Sequence, residues 1–256
     1  MVESYKTDLA YIHDTGFGDF AKNSASGLLE LLDKHGIKDG LVIDLGCGSG
    51  IWAAELSRHG YAVLGVDISA AMIDIARKRV PNAEFLTASL LKADLPSCVA
   101  VTSLGECLNY LFDETNSIIQ LHRLFRRVYS ALQPGGLFIF DIAEPGRGTG
   151  PRQKHREGPD WAVLVDVVED IRTNRLTRRI ISFRKVDSLF RRSEEVHQLQ
   201  LYKRSEILKE LRAAGFRART LDNYGDQPMI DRCVAFVASA ASKRTKTPPP
   251  IGGRQL

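Results

Sequence analysis

An apolar run breaks into glycines at Val42-Ile43-Asp44-Leu45-Gly46-Cys47-Gly48-Ser49-Gly50, and a second apolar run, Val63-Leu64-Gly65-Val66-Asp67, ends in an acid. A buried strand that opens into a glycine turn and a helix can bring backbone N–H groups against a ligand. Glycine permits the close approach, and the first amides of a helix have no partner within it. An ionised carboxylate at the tip of the next strand can only accept, which matches the donating hydroxyls of a ribose. The pattern predicts a nucleoside site.

The turn bears on which nucleoside compound fits. A dinucleotide fingerprint read from Gly46 requires Gly or Ala at position 51, which is Ile51. Read from Gly48, the series Gly48-x-Gly50-x-x-Ala53 does fit, so an NAD-binding oxidoreductase stays open as a shifted register. Asp44 opposes it, because a carboxylate at the end of the first strand repels a pyrophosphate and attracts an ammonium group. A non-catalytic module that binds a nucleoside cofactor is a second alternative.

Three stretches, in order, resemble the signature segments of the class I S-adenosylmethionine-dependent methyltransferases: Asp44 to Gly50, Gly65-Val66-Asp67-Ile68-Ser69, and Leu132-Gln133-Pro134-Gly135-Gly136-Leu137-Phe138-Ile139-Phe140-Asp141. The resemblance covers about residues 8–145 and resumes at about 201–239. It implies S-adenosyl-L-methionine as cofactor and an α/β fold: a Rossmann-like, doubly wound, mostly parallel seven-stranded sheet with a small antiparallel β insertion. It also implies roles. Gly46, Gly48 and Gly50 shape the turn around the methionine part, with Asp44 and the Cys47 backbone near its amino group. Asp67 holds the ribose and Ile68 lies against the adenine. Many relatives have an acid after the third strand for the adenine amino group; the equivalent here is Ser89, followed by Leu90. Leu104 and Gly105 wall the site.

Elements with the right periods surround these residues. Helices are expected at Phe17–His35, Ile51–His59, Ala70–Arg79 (capped by Ser69), Thr115–Leu132 and Ser205–Ala214 (capped by Ser205). Strands are expected at Leu41–Leu45, Tyr61–Val66, Ala83–Ala88, Cys98–Ser103, Leu137–Ile142, Phe216–Tyr224 and Cys233–Ala238. Alternation of this kind gives parallel pairing and a ligand at the carboxyl ends of the strands. The Gly46 turn, Asp67, Ser89-Leu90, Leu104-Gly105-Glu106 and Asp141 all fall there.

The period changes after Asp141. Pro145 to Asp160 reads as a mobile loop, followed by three alternating strands, Trp161–Glu169, Leu176–Lys185 and Glu194–Tyr202, with a hairpin turn at Thr173-Asn174-Arg175. The chain thus divides into a core of residues 1–145 and 201–240, an insertion of 146–200, and a disordered basic tail, 241–256; the resemblance implies that the insertion covers the substrate pocket. Similar layouts occur in glycine N-methyltransferase and antibiotic-sugar N-methyltransferases. Arg172, Arg175, Arg178, Arg179, Arg184, Lys185, Arg191 and Arg192 make the insertion basic. The reading is a solvated sheet face, with recognition of an anionic acceptor as the alternative.

In-line methyl transfer asks a protein mainly to align reactants and exclude water. An amine acceptor must be neutral, whereas a hydroxyl gains from a base. The candidate groups are Glu106 at the tip of the fourth strand, His13 and Tyr11 in the N-terminal stretch, and His197 in the insertion. No Asp or Asn followed by Pro-Pro stands after the fourth strand and no Pro-Cys dipeptide occurs, which disfavours DNA acceptors and leaves a small-molecule N or O acceptor.

Composition bounds the rest. The 256 residues, 44% hydrophobic, suffice for one domain and an embellishment. The net charge of +4 equals the four cations Lys243, Arg244, Lys246 and Arg254 of the tail, so it does not argue for a nucleic-acid partner. No membrane span or signal peptide is evident, so no membrane partner and a cytoplasmic location are expected. Cys47, Cys98, Cys107 and Cys233 form no Cys-x-x-Cys pair, and no metal site is expected. The chain is expected to be a monomer or a homodimer.

Overall fold

In the computed structural model, which describes residues 5–150 and 152–240, two helices lead the chain, α1 (Thr7–Gly16) and α2 (Asp19–Lys34). Then come β1 (Leu41–Leu45), α3 (Ile51–Arg58), β2 (Ala62–Asp67), α4 (Ala70–Arg79), β3 (Glu84–Thr87), β4 (Cys98–Ser103), α5 (Ile118–Ala131) and β5 (Leu132–Ala143). The insertion consists of β6 (Gln153–Gly158), β7 (Trp161–Asp170), β8 (Arg175–Val186) and β9 (Leu189–Gln200). After it stand α6 (Arg204–Ala213), β10 (Arg217–Leu221), the short β11 (Asn223–Tyr224) and β12 (Gln227–Pro228), and β13 (Cys233–Ser239).

The main sheet has the order β10-β13-β5-β4-β1-β2-β3. Its first five strands pair in parallel, while β13 runs antiparallel to β5 and β10 to β13. Strand order reverses between β1 and β4, so a crevice opens at their carboxyl ends. Both faces are covered, which is why the strands are apolar without alternation. On one face Leu121, Leu124, Phe125 and Val128 of α5 pack with Ile207 and Leu211 of α6. On the other, Leu28 and Leu32 of α2 meet Trp52 of α3 and Ile73 of α4. Each such side chain, fully buried, contributes about 1.5–3 kcal/mol. Ser69 caps α4 by accepting from the Met72 amide at 3.1 Å.

Four expectations are corrected. The segment 145–160 is not all loop: Gln153–Gly158 forms β6, paired antiparallel to β7. It is an exposed edge strand of polar and charged residues with no apolar face to reveal it. The third expected insertion strand starts earlier, at Leu189. Ser205 does not cap α6, which begins at Arg204; the Glu206 carboxylate instead reaches back to the Lys203 amide at 3.0 Å. The stretch expected as one strand to Tyr224 splits, with β11 leaving the main sheet to pair with β12. The basic tail lies outside the described residues. Among those described, no helix is long and apolar enough to cross a membrane.

Candidate active site

The glycine turn between β1 and α3 is held on β2. The amides of Gly46 and Cys47 both donate to the Val66 carbonyl, at 2.7 and 3.1 Å. The amide of Gly48 donates to the Asp67 carboxylate at 2.9 Å, whose second oxygen accepts from the Ser69 amide at 2.8 Å. Burial raises the Asp67 pKa, while the amides of Ser69, Gly48 and Ile68 pull it back. Gly46 and Gly48 have φ of +77° and +52°. A Cβ on Gly46 would lie 2.5 Å from Cys107 Sγ, whereas one on Gly48 would meet nothing within 4 Å.

That open space is a cavity of about 810 Å³, mouth included, at the carboxyl ends of β1, β2 and β4. Of the eleven residues expected to hold a cofactor, Gly46, Gly48, Asp67, Ile68, Ser89, Leu90, Leu104 and Gly105 line it. Asp44, Cys47 and Gly50 do not. Asp44 is 3% exposed behind the turn, where Thr102 donates to it at 2.8 Å and Trp52 Nε1 donates to Thr102 in turn. Burial pushes its pKa up to about 7, against the Thr102 bond. Both backbone polar groups of Cys47 are engaged, its amide by Val66 and its carbonyl by Gly50. Gly50, at φ +75°, starts α3, and a Cβ there would crowd Ala76 at 3.0 Å.

The candidate catalytic groups separate further. Glu106 is not available as a base. It is buried between Arg147, at 2.8 Å, and Arg178, at 2.7 Å. Burial raises its pKa, but the two guanidinium groups outweigh this and bring it to about 2. Tyr11 does not reach the cavity. Its hydroxyl donates to Asp160 at 2.7 Å and its ring lies under Arg184, which ties α1 to the insertion. His197 is 1% exposed, with Nε2 at 2.9 Å from Glu195, and stands behind the cavity wall. His13 alone of the four lines the cavity. Burial lowers its pKa to about 4, so it is neutral at pH 7, and its Nδ1 has no hydrogen-bond partner.

Three aromatic residues complete the wall with His13: Tyr5, Tyr110 and Phe112. Tyr5 packs against His13, Tyr110, Phe112 and His197 at ring centroid distances of 4.8 to 6.5 Å. Its amide and that of Lys6 donate to Glu195, and its carbonyl accepts from Ser69 Oγ. No residue of the insertion lines the cavity among the described residues. The insertion instead backs the wall, through Glu195 and His197 behind Tyr5 and Arg178 donating to the Tyr110 hydroxyl at 2.9 Å. Its arginines face acids from elsewhere as well as its own: Arg184 and Arg191 pair with Asp8, and Arg179 and Arg192 with Glu194. None of them lines the cavity. At the back of the site the buried Asp141 accepts from the amides of Gly105, at 2.9 Å, and Glu106, at 2.6 Å, and so shapes the turn after β4. Burial pushes its pKa to about 7.

Residues 42–136 match the family model described as a methyltransferase domain. This region, from β1 through the glycine turn and Asp67 to the start of β5, is a methyltransferase domain. A protein of Geobacillus sp. (strain WCH70) that is provisionally named a methyltransferase is 32% identical to this methyltransferase domain over 106 residues, 40% of this chain and 41% of that one. The chain spans about two fifths of the length of the curated relatives it matches first. Solved structures share the fold: an S-adenosylmethionine-dependent methyltransferase from Clostridium acetobutylicum (TM-score 0.77, 18% identity, 91% of this chain and 98% of that one) and the sugar N-methyltransferase KedS8 from Streptoalloteichus sp. (TM-score 0.76, 22% identity, 92% of each). CalS10, an amino pentose methyltransferase from Micromonospora echinaspora solved with S-adenosylmethionine bound, has a TM-score of 0.74 at 18% identity, over 94% of this chain and all of that one.

The residues of this methyltransferase domain fit that cofactor. Asp67 keeps unused lone pairs on both oxygens beyond the two amides it accepts, as a ribose diol requires. Gly48 leaves empty space that any side chain would fill. Ile68, Met72, Leu90 and Leu91 give the cavity apolar lining, which suits a purine ring.

Proposed function

We propose that this chain transfers a methyl group from S-adenosyl-L-methionine to a small molecule, and that, of the nitrogen and oxygen acceptors the sequence leaves open, it methylates the nitrogen of an amine. The observation that carries this is the continuity of one cavity, from Asp67 and Gly48 at one end to the aromatic wall of Tyr5, His13, Tyr110 and Phe112. The cofactor, when bound, supplies a methyl group already activated on a sulfonium.

The protein's share is placement and exclusion of water. Asp67 holds the ribose hydroxyls, and the turn at Gly46 and Gly48 lets the cofactor lie against the backbone. Tyr5 and His13 fold the N-terminal segment over the cavity, and Glu195 pins that segment from the insertion. The rings of Tyr5, Tyr110 and Phe112 favour the positive charge that an amine acquires as it is alkylated. His13, neutral at pH 7, offers a ring nitrogen to an acceptor N–H. Its weak basicity, with a pKa of about 4, suits an amine better than a hydroxyl, which needs a stronger base. The structural likeness to a sugar N-methyltransferase and an amino pentose methyltransferase supports the same class.

The test is transfer of labelled methyl from S-adenosylmethionine into paired panels of amino sugars, other small amines and their hydroxyl counterparts. Label in amines and S-adenosylhomocysteine in equal amount support the reading. Label confined to hydroxyl acceptors overturns the amine assignment, and none in any pool overturns the activity.

A further inference from the structure

Ser89 stands where the family pattern implies an acid for the adenine amino group, and its Oγ already accepts from the Leu91 amide at 3.2 Å. A second segment reaches the same cavity. Asp113 and Asn116, from the connection between β4 and α5, line it together with Ile68, Ser89, Leu90 and Leu91.

Each brings a buried acceptor oxygen, and that of Asn116 has no partner. Asn116 donates Nδ2 to the carbonyls of Leu108, at 3.0 Å, and Tyr110, at 2.8 Å. Those bonds fix the amide's orientation and leave Oδ1 buried with no partner. Asp113 spends Oδ1 on the hydroxyl and amide of Thr115, at 2.6 and 3.1 Å. Its Oδ2 is buried and pairs with the exposed Lys92 ammonium at 3.0 Å, which leaves it a further lone pair. Burial raises the Asp113 pKa, but Thr115, Ser89 and Lys92 outweigh it and hold the group well below the usual carboxylate range. The carboxylate is therefore an anion at pH 7.

Buried polar atoms in folded proteins have partners, and an orphaned amide oxygen in the same cavity as a carboxylate with a spare lone pair calls for a donor. An exocyclic amine has two N–H groups and satisfies both at once. A carbonyl at the same position would set its oxygen against a carboxylate and an amide oxygen, both of them acceptors.

We infer that Asp113 and Asn116 replace the missing acid after β3, accepting the two hydrogens of the adenine amino group and setting the preference for a 6-amino over a 6-oxo purine. The inference rests on the cofactor reading above. It assigns base recognition to the β4–α5 connection, 24 and 27 residues downstream of Ser89, the position that the motif marks.

Calorimetric titration with S-adenosylhomocysteine and its 6-oxo analogue, S-inosylhomocysteine, tests it on the full chain. Wild type should bind the amino compound at least about tenfold more tightly. Asp113→Ala and Asn116→Ala should each bring that ratio down severalfold, chiefly by weakening the amino compound. Asp113→Asn, which keeps the shape of the side chain, should lower it as well. Lys92→Met leaves both oxygens in place and should preserve the preference. Equal binding of the two compounds by wild type overturns the inference, as does an unchanged ratio in folded Asp113 and Asn116 variants. Absence of S-adenosylhomocysteine binding by wild type overturns the cofactor reading itself, and this inference with it.

Discussion

Glu106 and Arg178 meet at 2.7 Å inside the protein, one from the turn after β4 and the other from the middle of β8, with Arg147 closing on the second carboxylate oxygen. The contact joins the insertion to the core, and Arg178 also steadies the cavity wall at Tyr110. Removing the carboxylate leaves two guanidinium groups without their anion. Glu106→Gln should therefore destabilise the protein by about 3 kcal/mol, seen as a lower urea midpoint. Affinity for S-adenosylhomocysteine should persist while the variant is folded, since Glu106 does not line the cavity. Loss of binding at full stability would mean that Glu106 touches the ligand.

Two glycines of the same turn should fail in different ways. Gly46→Ala places a Cβ against Cys107 Sγ at positive φ, so it should cost stability, on the order of 1–3 kcal/mol. Gly48→Ala meets open space, where the added methyl occupies the cavity. It should weaken S-adenosylhomocysteine binding by about tenfold or more while melting closer to wild type. Denaturation and titration on both variants separate the two costs.

The buried acids give stability a pH dependence with a definite sign. The pKa of Asp44 in the folded protein is about 7, against an ordinary 3.8, so the folded state holds an extra proton between these values. Its favourable contribution is complete below about pH 4 and is lost as pH rises through about 7. The loss is on the order of 4 kcal/mol. Asp141 acts in the same sense. His13 acts oppositely: its folded pKa is about 4 against 6.5, so its contribution is present above 6.5 and lost as pH falls through about 4. Asp44→Asn, whose amide oxygen can still accept from Thr102, should gain stability over wild type as pH rises from 5 to 8. Parallel unfolding free energies at the two pH values would contradict this.

His13→Phe keeps the ring packing against Tyr5 and Phe17 but removes the nitrogen that faces the cavity. Turnover of an amine acceptor should fall about ten- to a hundredfold, with S-adenosylhomocysteine affinity changed by about twofold or less. Unchanged turnover would reduce His13 to a packing residue.

The α/β alternation and the glycine turn were legible because local signals carry them: unbroken apolar strands, Ser69 before α4, and glycines at positive φ. Long-range pairings were not legible. Glu106 looks like a free base in one dimension, since Arg147 and Arg178 lie 41 and 72 residues away. Asp44 has the type and place of a ligand contact, but Thr102 and Trp52 enclose it behind the turn. Tyr5, Tyr110 and Phe112 carry no motif and become a wall only where the N-terminal segment meets the β4–α5 connection. Strand β6 escaped because its residues are nearly all solvated.

Asp67 and the glycine turn are proposed to hold S-adenosyl-L-methionine. Thermal unfolding of wild type and Asp67→Ala with S-adenosylmethionine, S-adenosylhomocysteine and NADH tests it most directly. At about a hundred times its dissociation constant a ligand adds about 2.7 kcal/mol, a measurable rise in melting temperature. Wild type should be stabilised by both sulfur nucleosides and not by NADH, and Asp67→Ala should lose the shift. Stabilisation by NADH alone, or an undiminished shift in Asp67→Ala, would contradict the account.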